Sequence, residues 1–581
     1  MQKILEYLKN NYIDVIMVTI ITIFALIIRL ITLQNFGDLW LDELYSLSFA
    51  TYGNIFETIT ELIRQDVHQP LYFVILNIFL KIFGANTISV HACSIILAIP
   101  LIPLSFYFMK NLFNRFTGYV AAILFAINTF CAYYSVEVRF YSLVLPLTFL
   151  SAVFFVKMLT DSKENINRIC FIIFQILLIY TFTIAPLLSF FYFIVGFVYL
   201  KKYNANILKK YLMTFLYIFL LAIPAILILI YNFIATQTSL VPFQNVIYVF
   251  NWKIIFDILE NYFSTENFQI VSMAMNYYNH MFDGLKNWIY ILYVLVPIII
   301  GLIGFTKSML SKDKKLYLFV IPSILYLLTA CLFANLGVIL FLTRYSIIVY
   351  PMIVCAAWYG LSLIKYRNIG FFLIVCLILL NYFYLLIHPY NVLNLHRVDS
   401  GYMPKVLSQL NIKKDDLFLV PYSGKRLKAY IRRDNLIDFT ADDMLLMKDK
   451  KSKIFYFGEN FDKINKKNVS DLIYGYIKND KVMESYEDNL CKFYINNMKK
   501  GQKLIFIIYR YGMVQGDLLN HWDLLKNRTI YSNSNIFFTI MTKISYDSIK
   551  IAEKHLKYVN RYVCRNNQGY PLFAVYVYEK Q

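Results

Sequence analysis

The feature that most constrains this chain is the recurrence of apolar runs long enough to cross a bilayer, the first being the 22-residue Tyr12–Leu33. A helix needs about 20 apolar residues to traverse a hydrocarbon core about 30 Å thick, and a water-soluble domain has no means of hiding many such runs. Of the 581 residues, 59% are hydrophobic and 18% aromatic, and the mean hydropathy is +0.54. The expected fold class is a polytopic α-helical membrane protein. Candidate spans fall at 12–33, 87–109, 117–134, 141–158, 168–183, 184–200, 211–231, 288–306, 315–333, 344–364 and 368–387, about 11 crossings. Lys3 and Lys9 precede the first span, which is long for a signal-peptide core and lacks a small-residue cleavage site, so it reads as a retained signal anchor.

A formal net charge of +20 would suit nucleic acid, but most Lys and Arg before residue 370 fall in short loops between apolar runs. That pattern orients helices in a membrane, so the charge is assigned to topology and no nucleic-acid partner is expected. Leu71–Phe83 decides the layout. Its 13 residues are short for a span and typical of an interfacial or re-entrant helix. If it does not cross, Lys110 and Arg115, Lys157, Lys163 and Arg168, Lys201, Lys202, Lys209 and Lys210, Lys307, Lys312, Lys314 and Lys315, and Lys365 with Arg367 all share the inner side with Lys3 and Lys9. The outer side then holds the loops 34–86 and 232–287, the turn 133–141 and the helix mouth at Thr343-Arg344-Tyr345. The N-terminus is expected to be cytoplasmic and the C-terminus extracytoplasmic. Richness in Ile, Asn, Lys, Tyr and Phe matches a low-GC bacterial coding bias, and the cytoplasmic (inner) membrane is the expected location.

From about His388 the composition turns polar and Lys-rich. Apolar or aromatic runs at 417–422, 453–457, 503–511, 536–541 and 572–578 read as strands, and 403–410 and 545–559 as amphipathic stretches. The chain thus divides into a membrane domain, 1–390, and an extracytoplasmic mixed α/β domain, 391–581. Six of the eight cysteines, Cys93, Cys131, Cys170, Cys331, Cys355 and Cys376, lie in apolar spans without metal-ligand spacing and behave as small hydrophobes. Cys491 and Cys564 share the C-terminal domain, and their pairing is open.

Charges near hydrocarbon are costly unless paired, hydrated or used. Asp42 and Glu43 follow the first span in Trp40-Leu41-Asp42-Glu43, with Asp66 and His68 further along the loop. Solvation alone would account for two acids at an interface. If they act, adjacent residues project in different directions, so one acts and the other supports. Glu137 and Arg139 sit in Tyr133-Tyr134-Ser135-Val136-Glu137-Val138-Arg139-Phe140-Tyr141, where they could satisfy each other or snorkel. Arg344 and Tyr345 begin a span, where an arginine also serves as an anchor. Arg29 lies within the outer third of the first span and could snorkel or pair with a phosphate. Together these residues put carboxylates and three arginines on one membrane face. A carboxylate can take the proton from an attacking hydroxyl, and guanidinium groups match the oxygens of an anionic lipid-phosphate leaving group. No Gly-rich phosphate loop is present, so no nucleotide cofactor is expected and a lipid-carried donor suits the location.

Arg29-Leu30, Leu39-Trp40-Leu41-Asp42-Glu43 with Ser46, His68-Gln69-Pro70-Leu71-Tyr72, Tyr133-Tyr134-Ser135-x-Glu137-x-Arg139-x-Tyr141 and Arg344-Tyr345 resemble, in order and spacing, the GT-C membrane glycosyltransferases of the family-39-like group. That group includes protein O-mannosyltransferases and lipid A aminoarabinose transferases, and the match covers about residues 12–390. The resemblance implies a sugar carried on polyprenyl phosphate, with undecaprenyl phosphate as the expected carrier. It also implies an envelope acceptor (glycolipid, polysaccharide or protein) and an active site at the outer interface. By position, Asp42 matches the family's loop acid and is the expected base. Glu43 is its supporting neighbour or a metal contact. Arg29, His68, Arg139, Tyr141, Arg344 and Tyr345 are expected to bind donor phosphate or acceptor; some relatives carry an Asp in the second outer loop, where the nearby carboxylate here is Glu137, a supporting residue or metal contact. Gln69 departs from the family's His-Pro-Pro motif. The implied reaction is an inverting single displacement with oxocarbenium character. A divalent cation bridging phosphate and carboxylate is a candidate cofactor that nothing in the sequence demands.

The competing reading is a transporter or flippase of lipid-linked glycans. Such proteins commonly show paired repeats and ionisable groups at mid-membrane depth, and this chain shows neither. The outer segment carrying Trp252, Asp257, Glu260, Glu266 and Trp288 is the best candidate for acceptor contact, being long and on the same face as the acids. The sequence does not specify sugar or acceptor.

Overall fold

The computed structural model describes residues 11–36, 41–51, 53–65, 68–84, 87–161, 164–239, 252–263, 295–335, 343–387, 410, 413, 415–420, 436–438, 491, 495–509, 548–565 and 571–581. The chain forms two compact units. The first comprises Met1–Phe36, Phe49–Asn232 and Tyr248–Leu395; the second comprises Gly37–Ser48, Phe233–Ile247 and His396–Gln581.

The first unit is helical. Its described helices are α1 (Tyr12–Phe36), the C-terminal end of α2 (Leu41–Ala50), α3 (Ile55–Gln65), α4 (Leu71–Phe83), α5 (Thr87–Ala98), α6 (Leu101–Leu112), α7 (Arg115–Ile127), α8 (Thr129–Val136), α9 (Tyr141–Thr160), α10 (Glu164–Ile179), α11 (Ala185–Tyr203), α12 (Leu208–Ser239), α13 (Trp252–Phe263), α14 (Val296–Leu310), α15 (Lys314–Asn335), α16 (Tyr350–Ser362) and α17 (Arg367–Ile387). Six described segments are long and apolar enough to span a membrane, and a seventh arises if α7 and α8 count as one. Leu71–Phe83, Asn165–Ile179, Val296–Leu310 and Arg367–Leu379 are shorter apolar helices. α1 and α12 expose rows of large aliphatic side chains such as Ile16, Ile20, Ile23, Ile27, Leu220 and Leu227, the surface that lipid favours. α9 is buried along most of its length and forms the centre of the unit.

Two expected spans take another form. The run 117–134 is bent by 59° at Asn128 into α7 and α8. The run 344–364 begins as a 3-10 turn, Thr343–Ile348, before the 13-residue α16. The expected span 288–306 starts outside the described residues, and its described part is α14. α14 and α16 cross so closely that a Cβ on Gly360 would lie 1.7 Å from the Gly304 carbonyl oxygen. Only glycine permits that approach.

The basic loops gather at one end of this unit. Asp14, near the start of α1, pairs with Lys110 Nζ at 2.6 Å and Arg115 Nη2 at 2.5 Å, and the Tyr119 hydroxyl donates to it at 2.5 Å. Asn114 Nδ2 donates to Ser362 Oγ at 3.1 Å, Tyr359 to Asp313 at 3.0 Å, and Lys314 Nζ lies 4.0 Å from the Tyr203 ring centroid. Lys157 Nζ sits over the Phe108 ring. Lys110 therefore lies at the same end as the start of α1, the arrangement expected if α4 does not cross. Both ends of α4 support this, since Leu71 N donates to the Tyr180 carbonyl at 2.9 Å and Ser89 Oγ donates to the Phe83 carbonyl at 3.2 Å.

The second unit contains a five-stranded sheet of β1 (Leu417–Val420), β2 (Leu436–Asp438), β3 (Lys503–Tyr509), β4 (Lys557–Arg565) and β5 (Pro571–Glu579), in the order β2-β1-β3-β5-β4. β1 runs parallel to β2 and β3; β5 is antiparallel to β3 and β4. Leu504, Phe506 and Tyr578 pack with Ile549, Ala552 and Leu556, and Cys491 lies against that core. Burial pushes the Tyr578 hydroxyl up, and it donates to Glu553 at 3.1 Å. The amphipathic stretch expected over 545–559 ends as helix at 555, and strand β4 takes its last residues. The pairing partners Tyr578 and Glu579 on β5 override the helical period there. The strands expected at 453–457 and 536–541, the stretch 403–409 and the Cys564 side chain lie outside the described residues.

Candidate active site

The site begins with the break at Asn128. Asn128 takes an extended backbone, and its Oδ1 accepts the Cys131 N–H at 3.0 Å, so it ends α7 and caps the start of α8. A helix that stops leaves its last carbonyls without intrahelical donors, and inside a membrane protein such groups must find partners in protein. Arg29 supplies them. Its guanidinium is fully buried and donates from Nη1 to the Ala126 carbonyl at 3.0 Å and the Ala25 carbonyl at 3.1 Å, and from Nη2 to the Phe125 carbonyl at 3.0 Å. Cys131 Sγ lies 3.6 Å from Nη2. These contacts hold the guanidinium inside the protein rather than at a lipid-facing surface. The cation also faces the negative end of the α7 dipole.

α8 ends at a tight turn into α9. His91 Nδ1, on α5 and fully buried, lies 2.8 Å from the Val136 carbonyl. Glu137 caps α8 and is 2% exposed; the Arg139 N–H donates to the Glu137 carbonyl at 2.8 Å. Arg139 is 5% exposed with its guanidinium over the Phe140 ring. Tyr141, which starts α9, is 1% exposed, and its hydroxyl has no hydrogen-bond partner among the described residues. Arg344, Tyr345, Arg139 and Glu137 all lie within electrostatic range of that hydroxyl.

The structure thus brings the turn 137–141 and the Arg344 turn together. An aromatic row of tilted rings joins them: His68 lies against Phe140 at 4.7 Å, Phe140 against Phe182 at 5.5 Å, and Phe182 against Tyr345 at 6.1 Å between ring centroids. Arg344 sits over the Tyr345 ring. Gln69 is buried and donates from Nε2 to the Ala225 carbonyl at 3.2 Å, tying this loop to α12. Arg29, His68, Glu137, Arg139, Tyr141, Arg344 and Tyr345 therefore belong to one region of the first unit, at the end away from the basic loops. Sequence reasoning missed His91, Asn128 and Phe182. Asn128 carried a signal, a capping residue inside an apolar run. The others show only in three dimensions.

Asp42 and Glu43 belong to the second unit. They occupy the first turn of α2, where Glu43 is fully buried, Asp42 is half-buried, and Ser46 Oγ donates to the Asp42 carbonyl at 3.1 Å. Trp40, Asp66, Glu266 and Trp288 lie outside the described residues. Trp252, Asp257 and Glu260 fall on α13 but their side chains are likewise undescribed. No group of three His, Cys, Asp or Glu side chains suited to a metal occurs among the described residues.

Residues 67–231 match the family model described as dolichyl-phosphate-mannose-protein mannosyltransferase. No curated protein matches the chain. Among solved structures, ArnT from Cupriavidus metallidurans bound to undecaprenyl phosphate is 9% identical with a TM-score of 0.50, over 98% of both chains. The Archaeoglobus fulgidus oligosaccharyltransferase is also similar: its apo form is 12% identical with a TM-score of 0.47, over 96% of this chain and 74% of that one. Its complex with zinc and sulfate gives 12% and 0.44, over 95% and 72%. The architecture is that of a GT-C membrane glycosyltransferase and resembles the mannosyltransferases and ArnT.

Proposed function

We propose that this chain transfers a sugar from a polyprenyl-phosphate carrier, with undecaprenyl phosphate the preferred one, to a cell-envelope acceptor at the outer face of the cytoplasmic membrane. The observation that supports the reading most is the Tyr141 hydroxyl. It is buried, lacks a protein partner among the described residues, and lies in the field of Arg139 and Arg344. A buried donor left without a partner costs about 1–3 kcal/mol, which an anionic ligand would offset. Phosphate is the ligand that two guanidinium groups and a phenol fit best.

In this reading Asp42 takes the proton from the acceptor hydroxyl, an assignment that comes from the Trp40-Leu41-Asp42-Glu43 motif, and Glu43 supports it. The acceptor oxygen bonds to the anomeric carbon as the bond from that carbon to the phosphate oxygen breaks. The electron pair leaves with the lipid phosphate toward Arg139, Arg344 and Tyr141, and configuration inverts. His68 and Tyr345 border the donor, and Glu137 is a supporting residue of the same turn. Arg29 contributes by holding the helix break.

The test uses purified protein in liposomes with a radiolabelled polyprenyl-phosphate sugar and envelope extract. Asp42→Asn should lose transfer by about 10²- to 10⁴-fold. Full activity in that variant removes Asp42 as base. Carrier translocation without transfer by the wild-type protein would make it a flippase.

A further inference from the structure

We propose that Tyr262 is a positioning residue: a strut that sets the Arg344 turn at a fixed distance from the helix break at Asn128. Tyr262 lies near the C-terminal end of α13, remote in sequence from both. Its hydroxyl donates to the Ser346 carbonyl at 2.7 Å, and its own carbonyl accepts from Asn128 Nδ2 at 3.3 Å. Each partner is itself committed. The Ser346 carbonyl also accepts the Val349 N–H at 2.9 Å, at the junction of the 3-10 turn with α16. Asn128 Oδ1 caps α8. One residue therefore connects the cap that starts α8 with the turn that carries Arg344 and Tyr345.

The packing points to a rigid role. Tyr262 is 1% exposed, and its ring lies 5.1 Å from that of Tyr350 and 6.0 Å from that of Phe130. The ring is held from α8 on one side and α16 on the other, so the hydroxyl has little freedom to turn from Ser346. A 3-10 turn has poorer hydrogen-bond geometry than an α-helix and gains from an outside donor. The consequence is that Arg344 approaches the 137–141 turn by a distance that Tyr262 sets. The effect on donor binding rests on the glycosyl-transfer reading; the effect on the turn does not.

Tyr262→Phe keeps the ring and removes only the hydroxyl. Peptides covering 343–349 should exchange amide hydrogen about fivefold faster, with the melting temperature little moved. The KM for the lipid-linked donor should rise about fivefold with kcat within about twofold. Tyr262→Phe combined with Arg344→Ala should bind donor no worse than Arg344→Ala alone. Asn128→Ser, which retains a capping oxygen but does not reach the Tyr262 carbonyl, gives a second route should the first variant fold poorly, and it should raise donor KM in the same way. Unchanged exchange at 343–349 in Tyr262→Phe overturns the strut, as does a fully additive loss in the double variant. Faster exchange with donor KM unaffected even by Arg344→Ala keeps the strut and overturns the phosphate role of the arginine instead.

Discussion

The first helix meets its neighbour α7 at two buried charges, and the two contacts are built oppositely. At one end Asp14 is closed in by Lys110, Arg115 and Tyr119, so that an acid is met by two cations and a phenol. At the other, Arg29 is met by neutral carbonyls that a helix break has released, and nearby the Tyr141 hydroxyl lacks a partner among the described residues. The first arrangement meets its buried acid entirely from within the protein. The second holds an irregular backbone in place and leaves a neighbouring donor unmet, as expected where a protein gives up some stability for chemistry.

That contrast can be broken experimentally. The largest effect is expected from Arg344→Ala, which should lower transfer by about 10²- to 10³-fold, by analogy with other donors that stabilise developing charge; thermal stability should hardly change. Asp14→Ala should show the reverse pattern. It removes the buried acid that the half-buried Lys110 and the exposed Arg115 share and should cost about 2 kcal/mol in a detergent unfolding assay, while the protein that remains folded transfers at close to the wild-type rate. If Asp14→Ala instead abolished transfer in folded protein, the division between the two ends would collapse. Tyr141→Phe is the sharper test. Removing a hydroxyl without a protein partner should leave stability unchanged or slightly raised, yet slow transfer about tenfold. The smallest effect is expected for Asn114→Ala, the cap of α7 at the Asp14 end, at about 1 kcal/mol of stability with no kinetic change.

Much of this was legible in the sequence, for identifiable reasons. Hydropathy is local, so α1, α9, α11 and α15 could be read from runs of apolar residues. Loop charge placed Lys110 with the start of α1, and the Asp14 cluster agrees. The ordered motifs named Glu137, Arg139 and Arg344, and the structure puts them in one region. The break at Asn128 was absorbed into an expected span because hydropathy averages over a single capping residue. Arg29 was visible as a misplaced charge, but its partners lie 96 and 97 residues away. Tyr262 was indistinguishable from the many other aromatics, since its partner Ser346 is 84 residues distant. β4 replaced the end of an amphipathic stretch because sheet pairing, which has no local signature, outweighed the period. The placement of Asp42 in the second unit was not foreseen, for the loop that holds it follows directly on a membrane helix.

In the topology proposed from the loop charges, one short helix governs which way the chain faces across the membrane. With 13 residues, α4 is about 20 Å long, short of the hydrocarbon thickness, and both its ends lie at the end of the unit away from the basic loops. It works as a parity bit. In that proposed topology, adding about seven apolar residues would turn it into a crossing and every later loop would change sides: Lys110 and Lys157 would face outward and Arg139 and Arg344 inward. A reporter fused after Tyr390 would flip its signal, and with it the compartment in which any transferred sugar is left.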